Sequence, residues 1–121
     1  MSDEKNEKNM CPLKYLTNAF GGKWKLPIIC VLANQKPQRY SAIKKRIGDI
    51  TNTMLAKALK ELEDSGFIDR TEYNEKVPHV EYCLTLKGAG ALPMLTAAAE
   101  WAIKEMDSEN LKPYCQECNS L

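Results

Sequence analysis

The sequence predicts a mainly α-helical domain that carries one small β-hairpin wing. Three observations point there. Apolar residues recur at steps of three and four in several separate stretches, which is the helical period. Two later runs, 67–73 and 80–86, are instead rich in aromatic and β-branched residues, as strands are. Glycine or proline punctuates the chain between these stretches, at Gly21-Gly22, Lys36-Pro37, Gly48-Asp49 and Gly66. With 121 residues there is room for one core and one domain.

Each element follows from its residues. Residues 1–10 are polar and of mixed charge, and read as a flexible tail. The domain proper is expected over 11–106. A short helix fits Pro12 to Phe20, with proline in its first turn and Gly21-Gly22 ending it. A second fits Trp24 to Ala33, where Trp24, Ile28, Val31 and Leu32 share an inward face. Pro27 lacks an N–H, so it must sit in the first turn or kink that helix. Ser41 is the expected N-cap of a helix over Ala42 to Ile47, with Ile43 and Ile47 inward. Thr51 is the expected N-cap of a helix from Asn52 to about Ser65. Leu55, Leu59 and Leu62 form its buried stripe, and Gly66 stops it. Phe67–Tyr73 and Val80–Leu86 are the strands of a hairpin whose tip lies in Asn74–His79. In the second strand Val80, Tyr82, Leu84 and Leu86 alternate with polar residues, predicting one buried face. A last helical stretch runs from Thr85 or Leu86 to about Met106, with a kink or break at Pro93. Residues 107–121 are read as a tail containing Cys115-x-x-Cys118. Two short helices joined by a glycine turn and followed at once by a hairpin make a winged helix-turn-helix.

Charge is distributed unevenly. The chain's net charge is only +1. Residues 1–60, however, hold twelve Lys/Arg against four Asp/Glu, and residues 61–121 hold five against twelve. Within 36–60 there are seven basic residues and one acid, Asp49. Chance clustering of solvated charges is the plain alternative; the asymmetry fits a basic surface with an anionic partner. In a helix-turn-helix the second helix enters the major groove. With its leucines inward, Asn52, Thr53, Ala56, Lys57 and Lys60 share the outer face. Asn52 can pair with an adenine edge, Thr53 offers a hydroxyl and a methyl, and Ala56 admits close approach. Lys57 and Lys60 suit phosphates or guanine. Ser41, Lys44, Lys45 and Thr51 flank this face, and Lys76 and His79 lie on the wing. The expected partner is therefore double-stranded DNA.

The same residues resemble the HxlR-type family of winged helix-turn-helix regulators, a branch related to the MarR regulators. Matching stretches are Cys11-Pro12, Gly21-Gly22-Lys23-Trp24, Arg39-Tyr40-Ser41 with Ile43 and Ile47, Leu55 through Gly66, and Pro78-His79-Val80-Glu81-Tyr82-Cys83-Leu84-Thr85. They run in order through roughly residues 11–106. The resemblance implies a bacterial-type transcriptional regulator acting as a homodimer, without catalysis. One departure is His79, where the family usually carries Arg or Lys after the proline; an ordinary imidazole is mostly uncharged at neutral pH. The resemblance also implies a thiol sensor of oxidants or electrophiles at Cys11. Nearness to a helix N-terminus and to Lys14 suits a lowered thiol pKa. The other reading of Cys11 is a small apolar residue at a dimer seam.

Remaining features bound the rest. Five cysteines, an odd number, argue against a disulfide framework. Cys30 and Cys83 are read as core or sheet positions. Cys115 and Cys118 supply two of the four ligands a structural zinc wants, so no metal is expected; a dithiol switch and unreactive tail thiols both stand open. No phosphate loop, dinucleotide fingerprint or zinc-protease motif occurs, so no cofactor and no enzyme activity are expected. A protein-interaction module on the same fold is the rival, and the basic stretch 36–60 favours DNA over it. No apolar run approaches a membrane span and no signal-like segment opens the chain, so a cytoplasmic protein without membrane contact is expected. For the homodimer, Leu92, Leu95, Ala99, Ile103 and Met106 make one apolar stripe, widened by Trp101 and Met94. Tyr15, Leu16 and Ala19 of the first helix form the matching stripe.

Overall fold

A computed structural model describes residues 9–34 and 36–112. The elements run α1 (Pro12–Phe20), α2 (Lys25–Val31), β1 (Gln38–Arg39), α3 (Tyr40–Ile47), α4 (Asn52–Asp64), β2 (Ile68–Tyr73), β3 (His79–Leu84), α5 (Leu86–Ala89) and α6 (Leu92–Ser108). Residues 1–8 of the expected N-terminal tail and the Cys115-x-x-Cys118 segment lie outside the described residues.

Local chemistry explains most boundaries. Pro12 opens α1, where a missing N–H costs nothing, and Gly21 ends it. Pro27 is the third residue of α2, so it sits in the first turn and no kink is needed. Thr51 caps α4: its hydroxyl oxygen accepts from the Met54 N–H at 3.1 Å. Gly66 takes φ 84, a left-handed conformation that glycine adopts without a Cβ penalty. Pro93 falls in the first turn of α6, so the expected long last helix breaks into α5 and α6 just before it.

Three expectations need correction. First, Ser41 is not an N-cap. The two-residue strand β1, which no apolar pattern announces, pairs Gln38 with Tyr82 and Arg39 with Glu81. It runs straight into α3, so Arg39, with strand-like φ −73 and ψ 154, occupies the cap position and Ser41 lies inside the first turn. Second, Leu86 does not continue the buried face of the second strand. Thr85 ends the strand, and its Oγ1 donates to the Gly66 carbonyl at 2.6 Å and accepts from the Gly88 N–H at 3.1 Å. Leu86 then starts α5 and stands 94% exposed. Third, the last helix continues to Ser108, beyond the expected end at Met106.

The sheet has order β1-β3-β2, all antiparallel, with β3 central. The β2–β3 hairpin pairs Ile68 with Leu84 at its base and Tyr73 with His79 near its tip. One core joins the helices to the base of the hairpin. It contains Ile28, Ile29 and Leu32 of the α2 region, Ile43 of α3, Leu55, Leu59 and Leu62 of α4, and Ile68 of β2, all essentially solvent-free. Phe20 of α1 joins it by packing on Phe67, ring centroids 4.7 Å apart. Each such apolar side chain contributes about 1.5–3 kcal/mol by burial, so the orientation of α4 is set by its whole inner stripe. Cys30 and Cys83 are partly buried, on α2 and β3 respectively.

Candidate nucleic-acid interface

Helices α3 and α4 are joined across Gly48, which takes φ 88. The inner stripe of α4, with Ala58 added to the three leucines, is buried. On its outer side Asn52, Thr53, Ala56, Lys57 and Lys60 are all exposed. The predicted face is thus assembled on one side of a single helix, with its polar N-terminal half leading. Ser41 and Lys45 are exposed on α3, whereas Lys44 is partly buried. Lys76 stands exposed at the hairpin tip.

The side chains of this face are not equally available. Thr51 spends its oxygen lone pair on the α4 cap. Lys60 Nζ donates to Asp64 Oδ1 at 3.0 Å, one helical turn on, and that bond holds the ammonium pKa above its ordinary value. Asp64, in the last turn of α4, thus shares its charge with Lys60. Asn52 Oδ1 accepts from the Tyr40 hydroxyl at 3.1 Å, and the Asn52 backbone carbonyl accepts from the same hydroxyl at 3.2 Å. Burial, and secondarily the neighbouring Tyr82, push the Tyr40 pKa up. Tyr40 stood in a recognised stretch of the sequence, but nothing in the sequence tied it to Asn52.

On the wing, His79 turns back onto the hairpin. Its ring stacks on Tyr73 with centroids 4.7 Å apart, and its Nε2 lies 3.0 Å from Glu81 Oε2. Lys76 is therefore the cation at the exposed tip of the wing.

Cys11 occupies the N-cap position of α1, fully exposed, with its carbonyl accepting from the Tyr15 N–H at 3.0 Å. Its thiol is held below the usual cysteine range, first by the nearby Lys14 backbone N–H, then by that of Leu13, with the Lys14 ammonium adding, although its side chain closes no capping hydrogen bond. Within the single chain, Cys11 thus presents an exposed thiol at the start of α1.

The expected dimer stripe divides. Leu95 is only 4% exposed and belongs to the chain's own core, because α6 lays this side of its first turns on the domain. Leu92, Leu16 and Ala19 are partly buried against the same core. Ala99, Ile103 and Met106 are partly buried farther along α6. Trp101, at 67% exposure, and Tyr15, at 56%, face outward.

No helix among the described residues is long and apolar enough to cross a membrane. The family model described as HxlR-like helix-turn-helix matches residues 19–110. A helix-turn-helix-type transcriptional regulator of Methanothermobacter thermautotrophicus is 44% identical over 99 residues, spanning 82% of this chain and 75% of the relative. A solved structure of a MarR-family transcriptional regulator from Porphyromonas gingivalis W83 aligns with TM-score 0.74 at 35% identity, over 78% of this chain and 92% of that one. The redox regulator HypR in its reduced form aligns with TM-score 0.76 at 29% identity, over 83% and 98%.

Proposed function

The chain belongs to the HxlR-like helix-turn-helix family of transcriptional regulators, and from that premise we propose that it binds duplex DNA sequence-specifically, as a homodimer, under thiol control. The observation that carries the DNA reading is the outer face of α4. Asn52, Thr53 and Ala56 stand together at its N-terminal end, with Lys57 and Lys60 behind them, opposite a fully buried stripe. A groove needs this order: short polar side chains for base edges, then cations for phosphates. Ser41, Lys44, Lys45 and Thr51 would meet the flanking backbone, and Lys76 the neighbouring groove. His79 shapes the hairpin that presents it.

Anisotropy titrations against an operator and single-base variants test the assignment. Asn52→Ala is expected to relax choice at one base pair, at a cost of ~1–3 kcal/mol in discrimination. Lys57→Ala is expected to weaken binding evenly across sequences and lower the salt slope by about one. Lys60→Ala should do so to a smaller degree, because Asp64 already shares its charge. Variants that all bind like the parent would remove α4 from the groove; a parent that binds protein but no DNA would favour the interaction-module rival.

Thiol control is assigned to Cys11, on its exposure and lowered pKa and on the chain's similarity to a redox regulator. Diamide is expected to change operator affinity in the parent and to leave Cys11→Ser unaffected. A full response in Cys11→Ser, lost in a Cys115→Ser/Cys118→Ser variant, would move the switch to the C-terminal segment.

A further inference from the structure

We propose that Tyr40 is a positioning residue for base readout: its hydroxyl holds the Asn52 side-chain amide in one orientation, so that a fixed donor–acceptor edge faces the groove. This rests on the DNA-binding reading above. Asn52 is the first residue of α4 and is exposed. Its amide has two ends of nearly equal shape, one accepting and one donating. An unrestrained exposed amide samples both orientations, and a base edge that matches one opposes the other.

Tyr40 breaks that symmetry. The oxygen end of the amide faces the phenol, whose single proton it accepts at 3.1 Å, and the Nδ2 end turns away. The same proton also reaches the Asn52 main-chain carbonyl at 3.2 Å, so the two oxygens of Asn52 share it in one three-centre bond that the oxygen end of the amide completes. The Tyr40 ring packs against the core from the first turn of α3, and its position is therefore set by the fold. Held this way, Oδ1 keeps one lone pair and Nδ2 keeps both protons. That is the acceptor–donor edge that the N6–H and N7 of adenine take. Both contacts span the two helices of the helix-turn-helix, so the first helix sets the reading edge of the second.

Tyr40→Phe keeps the ring and removes only the hydroxyl. Its expected result is unchanged affinity for random duplex and an unchanged salt slope. Discrimination at the base pair read by Asn52 should fall about fivefold, the ratio one net hydrogen bond is worth. In an Asn52→Ala background Tyr40→Phe should change discrimination no further. A loss spread evenly over all base positions, or an effect that persists without Asn52, overturns the proposal. In the free, 15N-labelled protein, the Asn52 side-chain amide resonances should move in Tyr40→Phe; unmoved resonances overturn it without reference to DNA. A parent protein that selects no DNA sinks the DNA-binding reading, and the resonances alone then decide the Tyr40–Asn52 lock.

Discussion

Gly88→Ala is expected to be among the most damaging single substitutions in this domain, lowering stability by about 3 kcal/mol. Gly88 is buried in α5, beneath the hairpin. A Cβ there would run into the Phe67 carbonyl oxygen, lie 3.1 Å from its carbon and 3.2 Å from Leu84 Cδ2. The oxygen is backbone and cannot swing aside. It also accepts from the Thr85 N–H at 3.1 Å, so moving it opens the joint between the two strands. Lys87 adds to that joint by donating to the Ser65 carbonyl at 2.9 Å. The end of α4, the base of the wing and α5 thus meet at one close approach, which only glycine permits. Gly22→Ala makes the control. Gly22 has φ 97 with no atom within 4 Å of a would-be Cβ, so only backbone strain is added, about 1 kcal/mol. Urea midpoints for the two variants check this; equal midpoints would mean that α5 docks more loosely than described.

Trp101→Asp is expected to yield a folded monomer whose affinity for a two-site operator is about 10²- to 10⁴-fold lower. Trp101 is 67% exposed, so the change leaves the chain's own core intact. It also stands in a groove of α6 lined by Ala97, Glu100, Ile103 and Lys104. A second copy related by a two-fold axis would cover that face and set two α4 helices about one DNA turn, ~34 Å, apart. Linked half-sites turn the second binding event into an intramolecular one, and a monomer loses that advantage. Leu95→Asp would not make the same point, because Leu95 lies in the core and its charge would unfold the chain. Sedimentation of Trp101→Asp at micromolar concentration reads the result directly. A dimer with parental affinity would place the interface elsewhere.

Much of this molecule is legible from its sequence where one local rule decides. The Thr51 cap, the Gly66 stop and the leucine stripe of α4 each follow from a residue and its immediate neighbours, and the structure has all three. Legibility ends where a distant residue intervenes. Gln38–Arg39 is a strand only because β3 lies beside it, and that pairing displaces Ser41 from the expected cap. Leu86 fits a two-residue alternation, but Thr85 caps α5 and ends the strand first. Leu95 fits an apolar stripe whether a partner or the chain's own core covers it; periodicity cannot tell these apart. The candidate site divides the same way. The outer face of α4 is fixed by helical geometry, whereas the Tyr40 lock on Asn52, the Lys60–Asp64 pair and the inward turn of His79 depend on side chains meeting in space.

Two α4 helices of a homodimer are expected to read an inverted repeat. Selection of bound duplexes from a random pool tests it most directly, followed by titration of the selected site with and without a 5 bp insertion between its half-sites. The expected product is a pseudo-palindrome with half-sites about one turn apart. Affinity should collapse on the insertion, because ~5 bp rotates one half-site to the far face of the duplex. A pool that yields no consensus, or a single unpaired half-site indifferent to the insertion, would contradict it.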